Sequence, residues 1–308
     1  MKKYLSVVIP VFNEQQHLTA LHERLTGTLK GLNKPYEIIY VDDGSVDNSY
    51  EILKGFYGEG KSVKVIRLSR NFGQHPAVVA GFRFAKGEII VTLDADLQNP
   101  PEEIPVLVQK SEEGYGVVAG WRVDRKDSSR RRFLSRIGNV LVSRLTGIKL
   151  HDYGCMMRAY KYETVQQVLL CPEKYKTITA LIAWLSPSSI VEVKIKHDPR
   201  EHGRSNYKMY DLFRLALGLI VGYSTTPIQF ISLFGMGLAS IGFCASVFLS
   251  VQYFFWNVPV PLYFAGCSAF LFFYGMLMLA IGLVGEYVGR IFVEVQGRPY
   301  FIMKSILE

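Results

Sequence analysis

The sequence predicts an α/β protein: a mainly parallel sheet domain, then an amphipathic interfacial helix and two transmembrane helices. Three observations carry this reading. Short β-branched runs alternate with helical patterns over residues 1–120, each run ends in a polar cluster, and no Asp, Glu, Lys, Arg or His occurs from Leu215 to Gly285. Strand and helix alternating in this rhythm mark a parallel sheet covered on both faces. The uncharged stretch is far longer than the roughly 20 residues that cross a bilayer core.

The first run, Leu5–Val11, stops at Asn13-Glu14. It is short for a secretory signal and lacks a small-residue cleavage site, so it reads as a buried first strand. Gln15–Leu32 carries apolar residues at helical spacing and leads into the strand Tyr36–Val41, which ends in Asp42-Asp43-Gly44-Ser45. Val46–Phe56 again has helical spacing. Val63–Leu68 and Glu88–Leu93 are the next strands, the latter followed by Asp94-Ala95-Asp96, and Gly116–Ala119 is the fifth. Ligands bind at the carboxyl ends of the strands in such sheets, so three acidic clusters at strand ends predict one site.

Residues 121–210 are basic and less regular. Tyr207–Tyr223 places Lys208, Asp211 and Arg214 among Met209, Leu212, Phe213 and Leu217, the pattern of a helix lying in a membrane interface. Ile228–Phe254 and Leu262–Tyr287 are the two expected spans, joined by the uncharged hairpin Trp256–Pro261. The neighbouring Lys and Arg residues all lie outside this hairpin. The sheet domain and both termini are therefore expected on the cytoplasmic face of an inner or plasma membrane. The predicted divisions are a sheet domain at 1–206, an interfacial helix at 207–226, a two-helix anchor at 227–290 and a tail at 291–308.

Composition excludes several classes. Of the 308 residues, 49% are hydrophobic and 13% aromatic, too apolar for a disordered chain. The net charge of +8 belongs entirely to residues 1–214, because the charged residues after Gly285 balance. Such a basic domain suits anionic lipid head groups or phosphorylated substrates; beside a bilayer, nucleic acid is not expected as a partner. Cys155, Cys171, Cys244 and Cys267 form no CxxC pair, so neither a disulfide framework nor a zinc site is expected.

The chemistry concentrates in Asp94-Ala95-Asp96-Leu97-Gln98. Two carboxylates two residues apart at a sheet mouth can hold a hard cation, Mg²⁺ or Mn²⁺, together with a diphosphate, and Gln98 adds a neutral oxygen. The cation would neutralise charge developing on a leaving nucleoside diphosphate. Four segments together resemble family 2 glycosyltransferases of the GT-A fold. They are Val8–Glu14, Val41–Ser45, Asp94–Gln98 with Asn99-Pro100-Pro101, and Arg200–Ser205. Within that family the chain is similar, over about residues 4–290, to polyprenyl-phosphate glycosyltransferases. Dolichyl-phosphate mannose synthases and bacterial undecaprenyl-phosphate glucosyltransferases belong to this group.

The resemblance implies roles residue by residue. Pro10, Phe12 and Glu14 would surround the base and ribose of a nucleotide sugar, with Asp43 reading the base. Asp94 and Ala95 would contact the nucleoside, and Asp96 and Gln98 would bind the metal. Arg122 would approach the diphosphate or the acceptor phosphate. Arg131, Arg132, Ser135 and Arg136 would hold the lipid phosphate, and Lys176 and Arg200 would close over the phosphates. Arginine forks match phosphate oxygens, which agrees independently with these assignments.

Asp152 falls where many relatives place a catalytic base. A phosphate acceptor, already largely dianionic near neutrality, needs orientation more than deprotonation. The processive Gln-x-x-Arg-Trp segment is missing around Trp184, so one sugar per acceptor is expected, and Asn206 stands where relatives often have a lysine after Ser205, with Lys208 two residues on as its expected replacement.

The expected reaction is inverting transfer of one hexose, glucose from UDP-glucose as the first choice, to polyprenyl phosphate. The alternatives are transfer to a hydroxyl of a lipid-linked sugar, which would need Asp152 as base, and a silent membrane-anchored nucleotide-sugar-binding partner. The resemblance also implies a homo-oligomer, with a tetramer among the options, and a lipid-linked-sugar flippase as a candidate partner.

Overall fold

The computed structural model describes residues 3–59, 62–123, 150–171, 190–198 and 299–308, with isolated helical positions at 178, 181 and between 247 and 295. The first half follows the expected alternation. Strands β1 (Lys3–Val11), β2 (Tyr36–Asp42), β3 (Val63–Leu68), β4 (Gly87–Thr92) and β5 (Val117–Arg122) are interleaved with helices. These are α1 (Leu18–Gly31), α2 (Ser49–Glu59), α3 (Gln74–Phe82) and α4 (Ile104–Glu112). Then come β6 (Arg158–Lys161), α5 (Tyr162–Leu170), β7 (Ile190–Ile195) and β8 (Met303–Leu307).

One sheet holds all eight strands, in the order β7-β5-β6-β4-β1-β2-β3-β8. Strand β1 lies between β2 and β4, parallel to both, with Val11 opposite Asp42 and Val8 opposite Thr92. Only β6 and β8 run against the others. The order reverses between β1 and β4, and their carboxyl ends open side by side there, the position where α/β sheets hold ligands.

Buried residues fill both faces of the sheet. On one face α1 contributes Leu18, Leu21, Leu25 and Leu29, a single stripe at helical spacing; each such side chain stabilises by about 1.5–3 kcal/mol when fully buried. On the other face α3 and α5 cover Val8, Ile39, Val41 and Ile90. Helix α3 lies so close that a Cβ on Gly81 would stand 2.3 Å from Val8 Cγ1, so only glycine fits at that crossing.

The chain divides into two compact units, Met1–Leu219 with Pro299–Glu308, and Ile220–Arg298. Part of the expected tail therefore belongs with the sheet. Strand β8 pairs antiparallel with β3, Phe301 is buried in the core, and Tyr50 Oη stands 3.2 Å from Ser305 Oγ. In the second unit the described positions are helical, and Phe248, Phe255, Phe270 and Phe273 are exposed. Among the described residues no helix is long and apolar enough to cross a membrane. The expected interfacial helix at 207–226 lies outside the described residues, as do most positions of the spans at 228–254 and 262–287.

Candidate active site

The carboxyl ends of β1 and β2 are laced together by polar side chains. Asn13, in the left-handed region at φ 56°, donates from its backbone N to Ser45 Oγ at 3.0 Å, and its Oδ1 accepts from Val46 N at 2.9 Å. Glu14 N donates to Ser49 Oγ at 3.0 Å, and the Glu14 carboxylate meets His17 Nδ1 at 2.7 Å. Asp42, fully buried, accepts from Ser45 N and pairs with Arg67 Nε at 3.2 Å. Asp43 accepts from Phe72 N and Gly73 N, both at 2.8 Å, and so ties the β2 end to the turn that opens α3. Gly44 makes that closeness feasible: its φ is +72°, and a Cβ there would lie 2.5 Å from Arg70 C. Burial foremost, with the neighbouring Asp42 charge, pushes the Asp43 carboxyl up to about 6 against the pull of its two amides.

The end of β4 brings the second acidic pair to the same place. Asp94 Oδ1 accepts from Gln74 Nε2 at 2.5 Å, so the first residue of α3 holds this carboxylate. Burial raises the Asp94 pKa to about 7; the Asp96 and Glu14 charges push the same way, while Arg122 and Gln74 oppose. Glu14, Asp96 and Arg122 therefore each lie near enough to Asp94 for their charges to act on it. Leu97 has φ 60°, uncommon for a bulky side chain, and the turn lets Gln98 N donate to Asp96 Oδ1 at 3.2 Å. Gln98 O accepts from Asp198 N at 2.9 Å, fixing the turn from outside the strand.

Opposite the acids, β5 delivers Arg122. Its Nε donates to Asp152 Oδ2 at 2.6 Å and its Nη2 to Asp152 Oδ1 at 3.0 Å, a bidentate fork with Asp152 1% exposed. Burial alone would lower the Arg122 pKa, but the hydrogen bond and charge of Asp152 hold it above its ordinary value. Arg122 is therefore a permanent cation whose charge also acts on Asp94. Next to it, burial pushes the Cys155 thiol up to about 12, which keeps it protonated and inert at neutral pH.

The comparisons with known proteins fit this arrangement. The family model for glycosyl transferase family 2 matches residues 6–169, which spans β1 to the end of α5 and includes every acidic cluster described above. The chain belongs to glycosyl transferase family 2. It is 43% identical over 313 residues to the "Undecaprenyl-phosphate 4-deoxy-4-formamido-L-arabinose transferase" of Serratia proteamaculans (strain 568), covering 99% of this chain and 95% of that protein. The protein of the same description from Pseudomonas paraeruginosa (strain DSM 24068 / PA7) is 40% identical, covering 100% and 92%. A glucosyl-3-phosphoglycerate synthase from Mycobacterium tuberculosis, solved with Mn²⁺, UDP-glucose and phosphoglyceric acid, superposes with a TM-score of 0.50. It is 19% identical over 71% of this chain and 78% of that one, which shows a shared fold. The resemblance read from the sequence motifs is thus borne out, and the chain is a glycosyltransferase.

For this family 2 enzyme, several predicted site residues do meet. Glu14, Asp94, Asp96, Arg122 and Asp152 gather at the strand ends, with Asp43 one strand away. Pro10 is half-buried in β1, and Phe12 is half-buried just beyond it. The Ala95 methyl is buried in the core, so contact with a donor falls to its backbone. Asp152 has both oxygens engaged by the Arg122 fork, the arrangement of an orienting group. Lys176, Arg200, Arg131, Arg132, Ser135 and Arg136 lie outside the described residues.

Sequence reasoning missed Gln74, which touches Asp94, and Glu192, which caps the loop carrying Asp152. Only the Asn-Phe-Gly turn before Gln74 could have drawn notice, as a break between a strand and a helix.

The donor set suits a hard cation. Among the described residues no three His, Cys, Asp or Glu side chains are grouped to hold a metal unaided. Asp96 with the neutral oxygen of Gln98 matches an ion such as Mg²⁺ or Mn²⁺ that completes its shell with water and substrate phosphate.

Proposed function

We propose that this enzyme transfers one sugar from a nucleotide sugar to the phosphate of undecaprenyl phosphate, at the cytoplasmic face of a membrane. The observation that carries the reading is the meeting of Asp94, Asp96 and Arg122 at the β1–β4 switch point. The chain holding them aligns along nearly its whole length with undecaprenyl-phosphate sugar transferases. The relatives' names put 4-deoxy-4-formamido-L-arabinose first as the sugar, ahead of glucose. The exposed phenylalanines of the second unit favour lipid around it and support the anchor.

Asp96 and Gln98 would hold the divalent ion, which when bound supplies positive charge to the departing diphosphate. The chain's own residues do the rest. Gln74 orients Asp94 toward the nucleoside, Asp43 fixes the turn that opens α3 and is proposed to read the base, and Pro10, Phe12 and Glu14 are proposed to wall the ribose. Arg122 faces the phosphates, held in plane by Asp152. The lipid phosphate attacks the anomeric carbon as the sugar–phosphate bond breaks, which inverts that centre in a single displacement. A dianionic acceptor needs no base, which accords with Asp152 being engaged by Arg122. Arg131, Arg132, Ser135 and Arg136 are proposed to hold the lipid phosphate, and Lys176 and Arg200 to cover the donor.

The test is transfer by the full chain in detergent or liposomes. Radiolabelled UDP-4-deoxy-4-formamido-L-arabinose and UDP-glucose are each offered with undecaprenyl phosphate, with and without Mg²⁺ or Mn²⁺. Labelled lipid from the first donor, lost with EDTA, is the expected result. Label from UDP-glucose alone would reassign the sugar, and no labelled lipid from either donor would overturn the acceptor.

A further inference from the structure

Strand β7 is one of the two edge strands of the sheet and carries none of the residues assigned above, yet it reaches the site. It pairs parallel with β5, placing Glu192 opposite Ala119 and Lys194 opposite Trp121. The Glu192 carboxylate, 11% exposed, accepts from the backbone of the loop that holds Asp152. Its Oε1 takes His151 N at 2.8 Å and Asp152 N at 3.1 Å, and its Oε2 stands 3.0 Å from His151 N and 2.7 Å from His151 Nδ1. The His151 ring stacks on Trp121 with centroids 4.2 Å apart, and Lys194 Nζ lies 5.4 Å from the Trp121 centroid.

The same loop is gripped from its other side. Arg158, 2% exposed, donates from Nε to Cys155 O at 2.7 Å and from Nη2 to Tyr153 O at 2.9 Å. An acid thus fixes the loop's amides at residues 151 and 152, and a base fixes its carbonyls at 153 and 155. Asp152 sits between the two grips, and its carboxylate holds the Arg122 fork.

We propose that Glu192 is a positioning residue for sugar transfer. It sets the His151–Asp152 backbone so that Asp152 aims the Arg122 guanidinium at the reacting phosphates. The inference rests on the reading of Arg122 given under Proposed function. A bidentate fork tolerates little displacement, and a shift of about 1 Å at a reacting group costs on the order of 10²-fold in rate. Glutamine is the informative replacement. One amide oxygen can still accept from both backbone N–H groups, and its NH₂ can donate to His151 Nδ1 in the tautomer that accepts there. Alanine leaves both amides without this partner.

The experiment compares Glu192→Ala and Glu192→Gln with the wild-type full chain. It reads kcat, the donor KM, and hydrogen exchange at the amides of residues 150–157, with β1 and β2 amides as the control for folding. Glu192→Ala is expected to lower kcat on the order of 10²-fold with donor KM within about threefold, and to speed exchange at His151 and Asp152 while β1 and β2 stay protected. Glu192→Gln is expected to stay within about tenfold of wild type in kcat.

An alanine variant within about threefold of wild-type kcat overturns the proposal, as does a glutamine variant as slow as alanine. Exchange that speeds equally throughout the sheet also overturns it, because Glu192 would then serve the fold alone. If the wild type makes no labelled lipid, the transfer reading fails instead. Exchange at His151 and Asp152 then still decides whether Glu192 holds the loop.

Discussion

The two ends of the parallel strands use buried charge in opposite ways. At the amino ends, Glu37 is 2% exposed and is enclosed by partners: Ser6 Oγ at 2.6 Å, Lys86 N at 2.7 Å and Lys64 Nζ at 3.2 Å. Ser6 Oγ in turn accepts from Gly87 N at 2.8 Å, so the network closes on itself across β1, β2, β3 and β4. At the carboxyl ends the acids instead crowd one another, and Asp94 is pushed up by burial and by the Asp96 and Glu14 charges. A closed network rigidifies a fold, whereas crowded carboxylates leave electrostatic work for a ligand to finish. The same fold thus holds an acid enclosed by partners at one end and mutually repelling acids at the other.

This contrast can be broken or sharpened by substitution. The largest effect is expected at Asp96: Asp96→Ala should cut transfer by roughly 10³-fold or more while leaving the melting temperature unchanged or higher, measured by lipid-linked label and thermal unfolding. Glu37→Ala should do the reverse. It takes the carboxylate from Ser6, Lys86 N and Lys64 at once, leaving Lys64 its bond to Phe84 O, and costs about 3 kcal/mol of stability, with kcat per folded molecule preserved; a denaturant titration paired with the same assay reads both. Arg122→Lys keeps the charge but loses the fork to Asp152, and a fall on the order of 10²-fold in kcat is expected.

The smallest effect is the pH response of stability. The Asp94 pKa is raised in the fold, to about 7, so its contribution to stability is fully present below the unfolded carboxyl value and is lost as pH rises through about 7. Asp94→Asn removes that loss. At pH 8 it should be more stable than the wild type, with a higher Tm, and should flatten the fall in stability between about pH 4 and pH 7. An unchanged slope would mean that Asp94 is ionised throughout and that the crowding is relieved by other means.

The strands that build the site were readable because they are local. Leu5–Val11, Tyr36–Val41 and Glu88–Leu93 declare themselves by continuous apolar runs ended by acids, and the observed strands differ from them by a residue or two. Asp94 and Asp96 were legible for the same reason, as neighbours in sequence at a strand end. Gln74 was not, since its meeting with Asp94 depends on how α3 lies across β1, a packing matter settled at Gly81. Glu192 was hidden further, because its loop partner is 40 residues away in sequence and the two meet only through the β5–β7 pairing.

The sequence by itself determined that this is an α/β enzyme whose acids gather at strand ends, and its motifs placed it among the glycosyltransferases. Apolar periodicity and turn chemistry are properties of short windows, and a linear reading can sum them. Only the tertiary structure decided that β8 returns to the sheet edge, that Asp152 engages Arg122 with both oxygens, and that Glu192 stands behind them. Those facts depend on register and on buried charges finding partners across the sheet, where the free energy belongs to the pair and neither residue alone announces it.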